Sequence, residues 1–177
     1  SQPGADPRIF AYGFREAFDF DFHPDTGAMY GTDSGGRTCE EVNIIEKGAD
    51  YGWPRTAQSP YDCAATPQTT PVYLLAEDGL SANDLDSTVG MSGVEFISAS
   101  VYPALGDSLA LCEITTKLMR RLLLSPPNFD SVSANDVIQR DCWLDITVSP
   151  DGEIYYGNTY EVRRILPSRP ETPSPSP

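Results

Sequence analysis

The sequence predicts an all-β fold, and within that class a β-propeller, on three observations. Short alternating or β-branched runs bounded by Pro, Asp and Gly recur along the chain, helical periodicity is almost absent, and one strand–turn–strand unit returns at a regular spacing. With 177 residues, 14 Gly, 16 Pro and 40% hydrophobic residues, the chain has the material for the core of one domain or part of one. A β-sandwich satisfies the first two observations, whereas the repeat favours the propeller.

The clearest unit opens with Phe18-Asp19-Phe20-Asp21-Phe22, where phenylalanines alternate with aspartates as a half-buried strand demands. His23-Pro24-Asp25-Thr26-Gly27 reads as a hairpin turn, with His23 an exposed turn residue, and Ala28-Met29-Tyr30-Gly31 as the returning strand. Glu41 to Ile45 follows at the spacing of the next strand. Residues 48–71 are rich in Pro and Thr without alternation, and an inserted loop is placed at about 48–88. A degenerate copy of the unit comes next: Gly93 to Ile97, a turn over Pro103 to Asp107, Ser108 to Cys112, then Lys117 to Leu124. The unit returns as Leu144 to Val148, Ser149-Pro150-Asp151-Gly152 and Glu153 to Gly157, followed by Glu161 to Leu166.

Pro24 and Pro150 lie 126 residues apart, three times a period of 42. Four-stranded propeller blades repeat every ~40–45 residues. Residues 1–166 therefore read as a partial propeller of about three four-stranded blades, and 167–177 as a Pro/Ser-rich tail or linker that cannot pack a core. Propellers close with about 4–8 blades, so either missing N-terminal blades or another copy of the chain is expected to complete the ring.

A formal net charge of −14 repels phosphate backbones and anionic lipids, which excludes nucleic acid as a partner and argues against membrane insertion. No apolar stretch approaches the ~20 residues of a spanning helix. Neutral partners such as a sugar substrate or a glycan suit this surface. Cys39, Cys63, Cys112 and Cys142, with a single His, lack the close pairs of a zinc site and read as two disulfides of an extracellular or periplasmic, secreted or surface-attached protein.

Tyr12-Gly13-Phe14-Arg15 and the run Glu40-Glu41-Val42-Asn43-Ile44-Ile45-Glu46-Lys47-Gly48-Ala49-Asp50-Tyr51-Gly52-Trp53-Pro54 resemble the pyrroloquinoline-quinone (PQQ)-dependent soluble glucose/sorbosone dehydrogenases. The resemblance continues through Ser92-Gly93-Val94-Glu95-Phe96, Gly106-Asp107-Ser108-Leu109 and Ser149 to Tyr156. It implies the C-terminal half of a six-bladed ring that oxidises the anomeric carbon of aldoses, with the quinone held on calcium. It also implies a structural calcium on the Glu41 carboxylate and the Tyr51 main-chain carbonyl, oxygen donors of the kind Ca²⁺ prefers. The cofactor seat maps onto Arg15 and onto main-chain carbonyls of Gly35 and Gly36.

The chain departs from that pattern where Glu16 replaces an Asn, and where Ile114, Cys142 and Leu144 replace cationic residues; Lys117, Arg120 and Arg140 lie nearby. The catalytic His base of the family falls on an earlier blade, so no catalytic residue is assigned here. On this frame Cys39 pairs with Cys63, stapling the inserted loop, and Cys112 with Cys142, one blade apart. Trp53 and Trp143 are aromatic enough for sugar stacking or for core packing. Two function classes stand: part of a quinoprotein sugar oxidoreductase, or a non-catalytic extracellular propeller module for assembly, adhesion or glycan binding.

Overall fold

A computed structural model of the chain describes residues 6–35, 40–53, 69–75 and 89–166. Eleven strands among them form three antiparallel sheets in chain order. The first holds β1 (Ala17–Phe22), β2 (Met29–Ser34), β3 (Glu40–Ile44) and β4 (Tyr73–Leu74); the second β5 (Met91–Ile97), β6 (Ser108–Glu113), β7 (Leu118–Leu124) and β8 (Val132–Arg140). The third has β9 (Asp145–Val148), β10 (Ile154–Gly157) and β11 (Val162–Arg164), three strands rather than the expected four among the described residues. Each sheet is an up-and-down meander, and β1, β5 and β9 lie side by side, as the inner strands of successive blades.

Sheets covered on both faces lose the alternation of a half-exposed strand. Thus β6 is buried at every position because sheet one lies on one side and sheet three on the other. Tyr30, Val42 and Tyr73 meet Val94, Phe96, Leu109, Leu111 and Leu122 in one core layer. Ile97, Ala110 and Met119 meet Ile146, Ile154 and Tyr156 in the next. The expected Cys112–Cys142 disulfide is present, with Cα atoms 5.0 Å apart, and ties β6 to the start of sheet three. Closing its 30-residue separation contributes about 3–4 kcal/mol by restricting the unfolded chain. Cys39 and Cys63 lie outside the described residues, as does the tail from 167 onward.

Two expectations are corrected. The phenylalanines of β1 are its exposed positions, with Phe18 44%, Phe20 57% and Phe22 50% exposed, whereas Asp19 and Asp21 are half-buried. Among the described residues no sheet packs on the phenylalanine side of β1, while the aspartates reach over β5. His23 is 1% exposed rather than an open turn residue, because the tilted rings of Phe96 and Phe129 each pack with centroids 4.4 Å from its own. Within the segment read as an inserted loop, Tyr73–Leu74 pairs with β3 as the outer strand, too short to show alternation.

Side-chain oxygens stitch the sheets together. Val94 N–H donates to Asp19 Oδ2 (2.9 Å), Phe96 N–H to Asp21 Oδ2 (2.7 Å) and Val148 N–H to Glu95 Oε1 (2.7 Å). Each N–H leaves the unpaired edge of an inner strand and ends on the carboxylate of the sheet before it. Gly93 allows the next approach: its N–H donates to Leu144 O at 2.8 Å, and a Cβ there would sit 2.5 Å from Asp145 Cα.

Candidate functional site

The segment leading into β1 is held by its own backbone. The buried Asp33 carboxylate accepts the Arg15 N–H at 3.1 Å and the Glu16 N–H at 2.8 Å, fixing how the chain turns into the strand. Residues 12–14 lie along residues 49–53: Tyr12 N–H donates to Ala49 O (3.2 Å), Tyr51 N–H to Tyr12 O (2.9 Å) and Trp53 N–H to Gly13 O (2.6 Å). Gly13 has φ +84°, and a Cβ on it would meet backbone nitrogens of Tyr51 and Gly52 at 2.7 Å, so only glycine fits. Phe14 stacks on Tyr51 with ring centroids 4.3 Å apart.

This lacing places Arg15 at the mouth of the groove between sheets one and two. Its Nη1 donates to Ser34 O (2.8 Å) and pairs with Glu16 Oε2 (3.2 Å), and its guanidinium lies 5.8 Å from the Trp53 ring centre. A cavity of about 210 Å³ opens here, lined by Arg15, Glu16 and Phe18, by Ser34, by Gly90 and Met91, and by Ile114 and Thr115. Arg15, the end of β2 next to Gly35, and Ile114 are thus brought together. Gly36 lies outside the described residues. Arg15 is the one cation lining the cavity among the described residues, and its charge is shared with Glu16 and the Ser34 carbonyl. A cation beside a carbonyl oxygen is chemistry suited to one side of an anion's seat.

The two residues assigned to calcium sit on the same loop system. Glu41 is buried, with Asn43 Nδ2 donating to its Oε2 at 3.3 Å. Tyr51 is also buried; its hydroxyl donates to Ile44 O (2.6 Å) and accepts the Glu46 N–H (2.9 Å), so the loop is clipped by this phenol as well. A buried carboxylate beside a polar amide suits a hard cation. Among the described residues, no three His, Cys, Asp or Glu side chains gather to hold a metal.

Sequence reasoning missed Glu40. It is 4% exposed, accepts from Met91 N–H and Ser34 Oγ through Oε2, both at 3.1 Å, and leaves Oε1 buried without a partner among the described residues. Burial pushes its carboxyl up. The signal was the adjacent pair Glu40-Glu41, which strand alternation sends to opposite faces. Also missed was the row formed by Asp19, Asp21, Glu95 and Asp145 along the inner strands. Desolvation, with Asp21, Asp19 and Asp145 nearby, pushes the Glu95 carboxyl up to about 7, and desolvation raises Asp19 too. Trp143 packs under Lys117 (Nζ 4.2 Å from the ring centre) and edge-on to Tyr160 at 5.9 Å.

Over residues 1–166 the sequence matches the family described as Glucose / Sorbosone dehydrogenase. It is 25% identical over 158 residues to the aldose sugar dehydrogenase YliI of Escherichia coli, covering 87% of this chain and 42% of that protein. Its fold matches a glucose dehydrogenase with a TM-score of 0.69 at 26% identity, covering 88% of this chain and 44% of the other. It also matches the PQQ-bound form of an aldose sugar dehydrogenase from Streptomyces coelicolor, with a TM-score of 0.61 at 15% identity and coverage of 88% and 41%. The chain thus spans less than half the length of these proteins.

Proposed function

We propose, for a chain that belongs to the Glucose / Sorbosone dehydrogenase family, that it forms part of a quinoprotein oxidoreductase acting on the anomeric carbon of aldose sugars. The observation that carries this reading is the cavity that gathers Arg15, Ser34 beside Gly35, and the β6–β7 turn at one mouth. Bound there, the quinone would supply the two-electron acceptor for the sugar. The residues of this chain would do three things: Arg15 would neutralise part of the cofactor's negative charge, the carbonyls of Gly35 and Gly36 would face its calcium, and Ile114 would wall the cavity against water. The proton acceptor for the sugar hydroxyl would come from blades beyond this chain. A second calcium on Glu41 and the Tyr51 carbonyl would brace the loop that positions Trp53 against Arg15. The disulfide supports an oxidising compartment, extracellular or periplasmic.

A second reading has its own support. Glu16 pairs with the one cation of the cavity, and Ile114 stands where a cation is expected, which favours a non-catalytic module that binds glycans or assembles with partners. Titration of the assembled protein with PQQ and Ca²⁺, followed by aldose, separates the two. Saturable uptake and sugar-driven bleaching of the oxidised quinone spectrum support the oxidoreductase; absence of uptake at saturating calcium leaves the binding module.

A further inference from the structure

The cavity beside Arg15 is held in shape from behind by one side chain. Glu40 opens β3 and stands opposite Ser34 in the β2–β3 ladder. Its Oε2 accepts the Ser34 hydroxyl and the Met91 N–H, both at 3.1 Å, so one oxygen joins the last residue of β2 to the first of β5. Ser34 and Met91 both line the cavity, one from each sheet. From them the tether reaches the rest of the wall. Ser34 O accepts Arg15 Nη1 at 2.8 Å, which fixes the guanidinium. Gly90 O, next to Met91, accepts the Ile114 N–H at 2.8 Å, and Val89 O accepts the Thr115 N–H at 3.0 Å, so the β6–β7 turn is carried with the start of β5.

The packing of the two sheets does not depend on this carboxylate. Thr32 Oγ1 donates to Ser92 O (2.8 Å), and Asp19 and Asp21 accept from Val94 and Phe96 farther along β5. Tyr30, Val42, Val94 and Leu111 fill the apolar layer between them. Nor does the carboxylate suit the fold. Burial disfavours its charge, which Arg15 partly offsets, and Oε1 is buried without a partner among the described residues. A buried acceptor left unpaired costs stability that a well-packed apolar residue does not. Groups that work against the fold cluster where a site needs them.

We propose that Glu40 is the positioning residue of the Arg15 cavity: by accepting from both walls it sets the separation of Ser34 and Met91, and with it the placing of Arg15, Ile114 and Thr115 around a bound anion. Glu40 is not among the residues that line the cavity, so it acts through those that do. It acts by reach and not by charge. An amide at position 40 keeps an oxygen for the same two donors, whereas an apolar side chain leaves both unpaired behind the cavity wall. Glu41, next in the chain, is turned to the other face of the strand by alternation and takes no part in the tether. That the anion is the quinone rests on the reading above; the tether itself does not.

Hydrogen exchange of the unliganded assembled protein, followed by calorimetric titration with PQQ and Ca²⁺, tests this in Glu40→Gln and Glu40→Leu. Glu40→Gln should keep wild-type exchange at Met91, Ile114 and Thr115 and bind PQQ as tightly as wild type or more tightly. Glu40→Leu should speed exchange at Met91 most and at Ile114 and Thr115 less, and weaken PQQ binding by about tenfold, the worth of roughly one hydrogen bond. Exchange at Val94 and Phe96 should stay as in wild type in both. Should Glu40→Leu fail to fold, Ser34→Ala, which removes one of the two donors, must show the same changes at smaller size. Wild-type exchange in Glu40→Leu, or a loss in Glu40→Gln equal to that in Glu40→Leu, would overturn the proposal. If the wild type takes up no PQQ while exchange still separates Gln from Leu, the tether stands and the quinone reading falls.

Discussion

Strands β1 and β5 hold the same place in successive sheets, yet one shows its apolar side chains to water and the other hides them. Phe96 packs 4.4 Å from His23 and is 7% exposed, while its counterpart Phe22 is 50% exposed. The difference lies in what stands in front of each strand and not in the strands themselves. A propeller blade is therefore half of two interfaces, and its residues acquire their roles only from the neighbour before and after. The same holds for the cavity at Arg15, which has one wall from sheet one, one from sheet two, and an open edge.

The widest contrast should come from truncating these counterparts. Phe96→Ala should cost about 3–5 kcal/mol by opening a cavity in the first core layer, whereas Phe20→Ala in the single chain should cost less than about 0.5 kcal/mol. Equal losses in urea melts at low protein concentration would break the comparison. Next in size, replacing Cys112 and Cys142 by Ser should remove about 3–4 kcal/mol, read by the same melts, and loosen the junction of sheets two and three without touching that of sheets one and two. Hydrogen exchange should speed first at Ile146 to Val148, and retained protection there would contradict the assignment.

Calcium at about a hundredfold excess over its Kd should stabilise the chain by about 2–3 kcal/mol, with EDTA reversing the effect and Glu41→Gln abolishing it. A melt indifferent to EDTA would remove the metal from the loop. The smallest effect concerns Glu95, whose carboxyl lies higher in the fold than its ordinary value of 4.5, at about 7, mainly through desolvation. The folded state holds that proton more tightly, so its contribution to stability is greatest below pH 4.5 and is lost as pH rises toward 7. Glu95→Gln keeps an acceptor for Val148 N–H and should raise stability near pH 8 by on the order of 1 kcal/mol, allowing for screening. A pH profile identical to wild type would count against this.

The sheets were legible where turns punctuate them. Pro24-Asp25 and Pro150-Asp151 mark hairpins at a multiple of the blade period, and Gly106 closes the degenerate one between them. Outer strands were not: β4 has two paired residues, and β8, with Ser133, Asp136 and Arg140 facing water, shows no clean apolar stripe. Tyr12 to Arg15 and the loop from Glu40 to Trp53 announced Arg15, Glu41 and Tyr51 through resemblance, and the structure does bring Arg15 to Trp53. Alternation along Phe18 to Phe22 showed that two faces differ but could not say which would be covered, since the covering sheet is 75 residues away in sequence. His23 and Glu40 were misread or missed for the same reason. Their surroundings, Phe96, Phe129 and Met91, arrive from another sheet.

The central claim of the proposed reading is that this chain carries one side of a quinone seat, with Arg15 as its cation. Calorimetric titration of PQQ with Ca²⁺ into the assembled protein and its Arg15→Glu variant tests it most directly. The account predicts saturable uptake by the wild-type protein, weakened at least tenfold by Arg15→Glu. Uptake of equal affinity by Arg15→Glu, or no uptake at saturating calcium, would contradict it.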